Sequence, residues 1–211
     1  MSGREALLAL FGSFDSPVLN ITAECRCRDF VAVAKARGLP PFAVLLHGLA
    51  RASLRIENFR LRVLDGAVTE VGQLQVSYTV VDGDGNLNFS TFEHAEDPDV
   101  FLARYLADRE AARGARELRL TPMAHRDYLY VTCLPWMRFT AIQHPVGRFA
   151  DCSIPNVAVG RFAFSGDEVS FPISVQAHHG LVDGLHVHRY IACVEELMAE
   201  AAERMAGPAG P

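Results

Sequence analysis

The run His178-His179-Gly180-Leu181-Val182-Asp183-Gly184-Leu185-His186-Val187 constrains this chain more than any other stretch. Before it, Val169 to Gln176 reads as a strand. After it, from about Gly184 to Met205, Val187, Ile191, Val194 and Leu197 recur on one helical face. The polar run is therefore a strand-to-helix loop, a place where a fold presents side chains to a cleft. Acyl transfer to a hydroxyl needs a base that titrates near neutrality, and imidazole supplies it without a large perturbation. His179 and Asp183 stand four apart, with Gly180 and Gly184 allowing a tight backbone and a carboxylate able to anchor the loop or tune the ring. The bland alternative is a set of polar turn residues. A metal alternative rests on His178, His179, His186 and His188, all close in sequence, but neither an HExxH pattern nor a Cys or acidic ligand of known spacing accompanies them.

Elsewhere the pattern predicts strands and helices mixed without strict alternation, which argues for one α+β domain over residues 1–211. Arg4 to Phe11 reads as a short amphipathic helix and Val18 to Cys27 as a strand. Asp29 caps a helix that runs to Arg37 and stops at Gly38. Phe42 to Arg55 is apolar around most of its circumference, as in a helix buried between layers. Several strands are expected between Phe59 and Phe92, among them a hairpin of Val76 to Val81 and Asn86 to Phe92 about Asp82-Gly83-Asp84-Gly85. Asp97-Pro98 opens a helix with Val100, Phe101, Tyr105 and Leu106 on one face and Arg104, Asp108, Arg109 and Glu110 on the other, ended by Gly114. Tyr128 to Leu134 is a strand, and Val157 to Phe164 forms a hairpin with Val169 to Gln176 about Ser165-Gly166-Asp167. The tail from Gly207 to Pro211 is expected to fray.

A net charge of −5 argues against nucleic-acid and anionic-membrane partners, which need a basic surface. The five cysteines are odd in number and form no CxxC pair, so neither a disulfide framework nor a zinc site is expected and a cytoplasmic setting fits. Ala6 to Phe11 is too short for a signal-peptide core, and no apolar run is long enough to span a bilayer.

The histidine run resembles the active-site signature of the chloramphenicol acetyltransferase family: a double histidine, three residues, then Asp-Gly, an apolar residue and His. Upstream, Leu134-Pro135-Trp136-Met137-Arg138-Phe139-Thr140 resembles the family's Pro-Trp-x-x-Phe-Thr segment, and the interval from Trp136 to His179 matches without a gap. Weaker similarity reaches back through Leu19-Asn20-Ile21-Thr22 and the Arg4 helix. The related dihydrolipoamide acyltransferases share a His-x-x-x-Asp-Gly loop but lack the double histidine.

The resemblance implies a two-layer sandwich of a mixed β-sheet packed with helices, assembled as a homotrimer with active sites between subunits, transferring acetyl from acetyl-CoA to a hydroxyl of chloramphenicol or a related small acceptor, with no metal and with antibiotic resistance as a family role. It makes His179 the general base and pairs Asp183 with Arg4. The oxyanion hydroxyl, a serine in the family, falls on Thr132, which keeps a donor and adds a methyl group. For coenzyme A, the family's Lys-Tyr pair falls on Arg161 and Phe162, beside Trp136. Acceptor positions fall on Phe11, Ile142, His144, Asn156, Ala158 and Gln176. Ala158 replaces a threonine that helps to hold a water in the transition state, and His144 and Asn156 replace apolar residues. These departures favour a more polar acceptor, and they are also what a catalytically weak or inactive homologue that binds coenzyme A or a small molecule would show.

Overall fold

The structure is a computed structural model that describes residues 4–82, 84–119, 127–146 and 153–207. Gly83, Cys152 and the tail beyond Gly207 lie outside the described residues. The chain runs α1 (Glu5–Gly12), β1 (Val18–Arg28), α2 (Phe30–Ala36), α3 (Pro41–Arg55), α4 (Glu57–Arg60), β2 (Leu61–Leu64), β3 (Ala67–Glu70), β4 (Gln75–Val81), β5 (Leu87–Glu93), α5 (Pro98–Gly114), β6 (Tyr128–Leu134), β7 (Asn156–Gly160), β8 (Ala163–Ser165), β9 (Glu168–His178) and α6 (Gly184–Ala206). Asp29 caps α2 by accepting from the backbone N–H groups of Val31 and Ala32, both at 3.0 Å. Asp97 caps α5 in the same way.

The main sheet has the order β1-β9-β7-β6-β4-β5, with β8 also paired to β9, and β2 and β3 form a separate two-stranded ribbon. The pairs β4·β6 and β6·β7 are parallel and the others antiparallel, so the sheet is mixed. Alternation along the strands gives it two chemically different faces. Val76, Val131, Val157, Val159, Ile173 and Val175 are buried in the core shared with α3, α5 and α6. Each such side chain contributes roughly 1.5–3 kcal/mol by leaving water. On the opposite face the register aligns Asn20, Gln176, Asn156 and Tyr130 in one row and Thr22, Ser174, Ala158 and Thr132 in the next.

Two expectations need correction. The inner stripe of α5 is Phe101, Tyr105 and Ala112, while Val100 and Leu106 are exposed. Asp108 faces the sheet: it accepts from the Ser90 hydroxyl at 2.8 Å and the Thr91 N–H at 2.6 Å and pairs with Arg119 at 2.7 Å. Spacings of four, three and four residues keep Phe101, Tyr105, Asp108 and Ala112 on one helical line, and a satisfied carboxylate can sit there. The second correction concerns Val157 to Phe164, which is not one strand. The ladder breaks at Arg161-Phe162 into β7 and β8, both of which pair with β9. Gly160 packs against Pro172, so closely that an added Cβ would lie 2.5 Å from the proline Cγ.

No helix among the described residues is long and apolar enough to cross a membrane.

Candidate active site

The histidine loop begins where β9 ends. His178 is completely buried. Its carbonyl accepts from the backbone N–H groups of Leu181 and Val182, both at 2.9 Å, and its Nδ1 accepts from the Gly180 N–H at 3.0 Å. Burial, and then the nearby His179, lower its pKa, so His178 is a neutral, inward-facing member of the loop.

His179 is turned the other way and is partly exposed. Its backbone N–H donates to the Pro17 carbonyl at 2.7 Å, and its Nδ1 lies 3.2 Å from the Val182 carbonyl. A carbonyl can only accept, so Nδ1 carries the proton and Nε2 keeps a lone pair. Phe11 of α1 covers one side of the ring, centroid to centroid 4.0 Å. Gly180 sits 2.9 Å, measured from an ideal Cβ, from the Leu8 backbone, so only glycine fits between loop and helix. Asn58 donates to the Leu181 carbonyl at 2.7 Å and ties the loop to α4.

Asp183 caps α6, accepting from the N–H groups of Leu185 at 3.0 Å and His186 at 3.3 Å. Its other oxygen accepts from Arg4 Nη2 at 3.1 Å. The same guanidinium nitrogen lies 2.9 Å from His186 Nε2, and His186 Nδ1 lies 2.6 Å from Asp183 Oδ1. The Asp183 backbone N–H in turn donates to His186 Nδ1 at 3.2 Å, which closes a capping box at the start of α6. Burial would raise the pKa of Asp183, but the His186 backbone N–H and the charges of His186 and Arg4 outweigh it and hold the group below the ordinary carboxylate range. Sequence reading overlooked His186 as the third member of this knot, although the motif contained it.

A second cluster lies around a cavity of about 1100 Å³ lined by Thr132, Trp136, His144, Asn156 and Gln176. Thr132 stands on β6 and makes no side-chain hydrogen bond among the described residues, which leaves its hydroxyl able to donate. Trp136 is 59% exposed at the turn after β6. Gln176 is buried, and its amide is occupied: the His144 N–H donates to Oε1 at 2.8 Å and Nε2 donates to the His144 carbonyl at 3.2 Å. It thus fixes the segment after Trp136. Burial lowers the pKa of the His144 ring, and its Nε2 meets no hydrogen-bond partner among the described residues. Asn20 donates to the Ile142 carbonyl, holding the same segment from β1.

The predicted residues thus fall into two groups that one chain does not bring together. Arg4, Phe11, His179 and Asp183 surround the end of β9, whereas Thr132, Trp136, His144, Asn156 and Gln176 share the cavity, which none of the first group lines. Ile142 and Ala158 do not line it either, and Ala158 has no exposed surface. Arg161 is exposed, and its backbone N–H donates to the Met137 carbonyl at 2.8 Å, setting it next to the Trp136 turn. Phe162 packs inward, with ring centroids 5.2 Å from Phe171 and 6.0 Å from Phe30. Sequence reading also missed Phe42, Tyr78, Tyr105 and Arg109 of the cavity lining; no local pattern marks them as a group, because they come from three separate elements, α3, β4 and α5. Among the described residues no three His, Cys, Asp or Glu side chains converge as metal ligands, since His178 and His186 are engaged as above and His188 is exposed on α6.

A mixed sheet with helices on one face and a histidine loop at a strand end defines the acyltransferase class of fold. Residues 3–195 match the chloramphenicol acetyltransferase family, and the chain belongs to that family, whose members are acyltransferases. Chloramphenicol acetyltransferase 3 of Escherichia coli is 26% identical over 158 residues, 74% of each protein. Among solved structures, a chloramphenicol acetyltransferase superposes with a TM-score of 0.81 at 23% identity, covering 92% of this chain and 94% of that one. The dihydrolipoamide acetyltransferase of Azotobacter vinelandii has a TM-score of 0.66 at 16% identity, covering 98% and 90%, and shows that the fold is shared more widely.

Proposed function

We propose that this protein transfers an acetyl group from acetyl-CoA to a hydroxyl of a small polar acceptor, working as a homotrimer in which His179 of one subunit faces Thr132 of the next. The observation that supports it most is the tautomer fixed at His179: Nδ1–H is held by the Val182 carbonyl, so Nε2 is the proton-accepting atom. His179 Nε2 removes the acceptor hydroxyl proton as the oxygen attacks the thioester carbonyl. Thr132 Oγ1 donates to the oxyanion of the tetrahedral intermediate, which collapses by expelling the coenzyme A thiolate, and the imidazolium returns its proton to that sulfur. The Arg4–Asp183–His186 knot holds the loop and does not touch the reacting atoms.

For the donor, Trp136 is exposed at the cavity mouth beside Arg161, a flat surface and a cation suited to an adenine and a phosphate. Phe162 offers at most an edge, its ring being packed on Phe30 and Phe171. For the acceptor, the His144 Nε2 and the Asn156 side chain are polar groups in a pocket that must be matched on the ligand. An acceptor with several polar groups fits this better than an apolar one.

The test is release of free coenzyme A thiol, read with a thiol reagent, on adding chloramphenicol and a panel of small polyhydroxy and amino alcohols to protein and acetyl-CoA. Acceptor-dependent release supports the reading. Calorimetric binding of acetyl-CoA without release on any alcohol would replace it with that of an inactive binding protein.

A further inference from the structure

Strands β4 and β6 pair from Gln75↔Tyr128 to Tyr78↔Val131; they then run on to Val81 and Leu134 without pairing to each other. The cavity passes through the slit that this divergence opens. Thr79 and Thr132 line it on the polar face of the sheet, and Tyr78, Tyr105 and Cys133 line it on the helix face.

The charge of this through-sheet space is one-sided. Its described lining holds two arginines, Arg109 and Arg119, and no carboxylate, in a chain whose net charge is −5. Arg119 is neutralised by Asp108, which it meets with both terminal nitrogens at 2.7 and 3.0 Å. Arg109, half-buried on α5, has no ion pair among the described residues. It lies beside the phenols of Tyr78 and Tyr105, which burial pushes up and the Arg109 charge pulls down. Tyr78 is 3% exposed, and its hydroxyl lies near those of Ser90 and Tyr105 but makes no hydrogen bond of good geometry among the described residues. Burial raises the Cys133 thiol to about 11, so it adds no negative charge.

An unpaired guanidinium and an unsatisfied phenol facing one acid-free cavity form a receptor for a pair of anionic oxygens. We propose that the helix-face arm of the cavity, with Arg109 and Tyr78, binds the terminal carboxylate of a short dicarboxylic acyl group presented as its coenzyme A thioester. The proposal rests on the acyl-transfer reading above. The carboxylate is assigned to the donor because the acceptor-side groups Asn156 and Gln176, with His144 held to Gln176, stand on the polar face of the sheet and Arg109 belongs to α5 on the other. The assignment requires the acyl chain to extend from the carbonyl at Thr132 through the slit to the arginine, both of which line the one cavity. The chemistry stays that of acyl transfer: thioester and alcohol give ester and free thiol, and the terminal carboxylate is unchanged.

The test compares succinyl-CoA with butyryl-CoA, of equal chain length but uncharged at the end, with any alcohol that the protein acetylates. The expected ratio of kcat/KM favours succinyl by about tenfold or more, the worth of a charge-assisted hydrogen bond. Arg109→Gln collapses that ratio, Arg109→Lys restores part of it, and Tyr78→Phe lowers it by a few fold. A wild-type ratio below one, or a ratio that Arg109→Gln leaves unmoved, overturns the proposal. If Arg109→Gln instead weakens only the use of alcohols that carry a carboxylate, the anion belongs to the acceptor and the donor assignment is wrong. Should no thioester be turned over, the acyl-transfer reading itself has failed. The ratio of calorimetric affinities for the two thioesters, wild type against Arg109→Gln, then decides the anion site by the same criterion.

Discussion

The rings of Phe11 and His179 lie 4.0 Å apart, centroid to centroid, and 31° from parallel, so a helix at the chain's beginning sets one wall of a histidine near its end. The same helix carries Arg4, bonded to Asp183 at 3.1 Å. Position of the imidazole therefore depends on α1 staying docked. Phe11→Ala is expected to lower kcat/KM for acyl transfer roughly ten- to a hundredfold, a scale typical of a misplaced catalytic group. It should also raise the ratio of thioester hydrolysis to transfer, because one face of the ring becomes open to water. Coenzyme A release with and without acceptor measures both.

Asp183→Ala removes an N-cap and leaves the Arg4 charge without its carboxylate. The expected loss is about 1–2 kcal/mol of stability, read from urea titration. Asp183→Asn keeps the cap and loses only the charge, so it should fall between Ala and wild type.

Thr132→Ser keeps the hydroxyl and is expected to hold kcat within a few fold. Thr132→Val keeps the shape and removes the donor, and should lower kcat by roughly 10²–10³. Equal rates for the Ser and Val variants would show that the threonine is there for its strand preference alone.

Stability should fall on mild acidification. His47 of α3 is 6% exposed, packed against His94 and Phe101, and flanked by Arg51 and Glu96. Burial first and His94 second pull its pKa down from 6.5 to about 4. The unfolded chain therefore takes up the proton first. The contribution of His47 is complete above about pH 6.5 and is lost as pH falls towards 4, amounting at most to about 3 kcal/mol. Urea midpoints measured from pH 7 to 4.5 should decline, and decline less in His47→Gln. A flat or rising midpoint over that window contradicts the account.

How far the sequence could be read depended on the range of the interaction. Asp29, Asp97 and Asp183 act on N–H groups two or three residues away, so their helix starts were visible in local pattern. The turn of the histidine loop was legible because His178 to Val182 and the first turn of α6 close it locally, whereas its contacts with Phe11, Pro17 and Asn58 come from distant elements. Asp108 was misread as a solvent-facing charge because its partners, Ser90, Thr91 and Arg119, come from a strand and a later segment. The break at Arg161-Phe162 depends on Gly160 meeting Pro172 across a ladder. Arg109 lines a cavity bordered by strands β4 and β6 where they diverge, a long-range feature of pairing that no motif encodes.

The central claim is that His179 and Thr132, which occupy separate sites within one chain, form a single active site between subunits. Mixing tests it directly: His179→Ala and Thr132→Ala chains are unfolded together in equal amounts, refolded, and assayed for acceptor-dependent coenzyme A release. The account predicts two nearly inactive parents and a mixture that recovers about a quarter of the wild-type rate, since one interface in four unites an intact histidine with an intact threonine. A mixture no more active than its parents, though its subunits exchange, would contradict it.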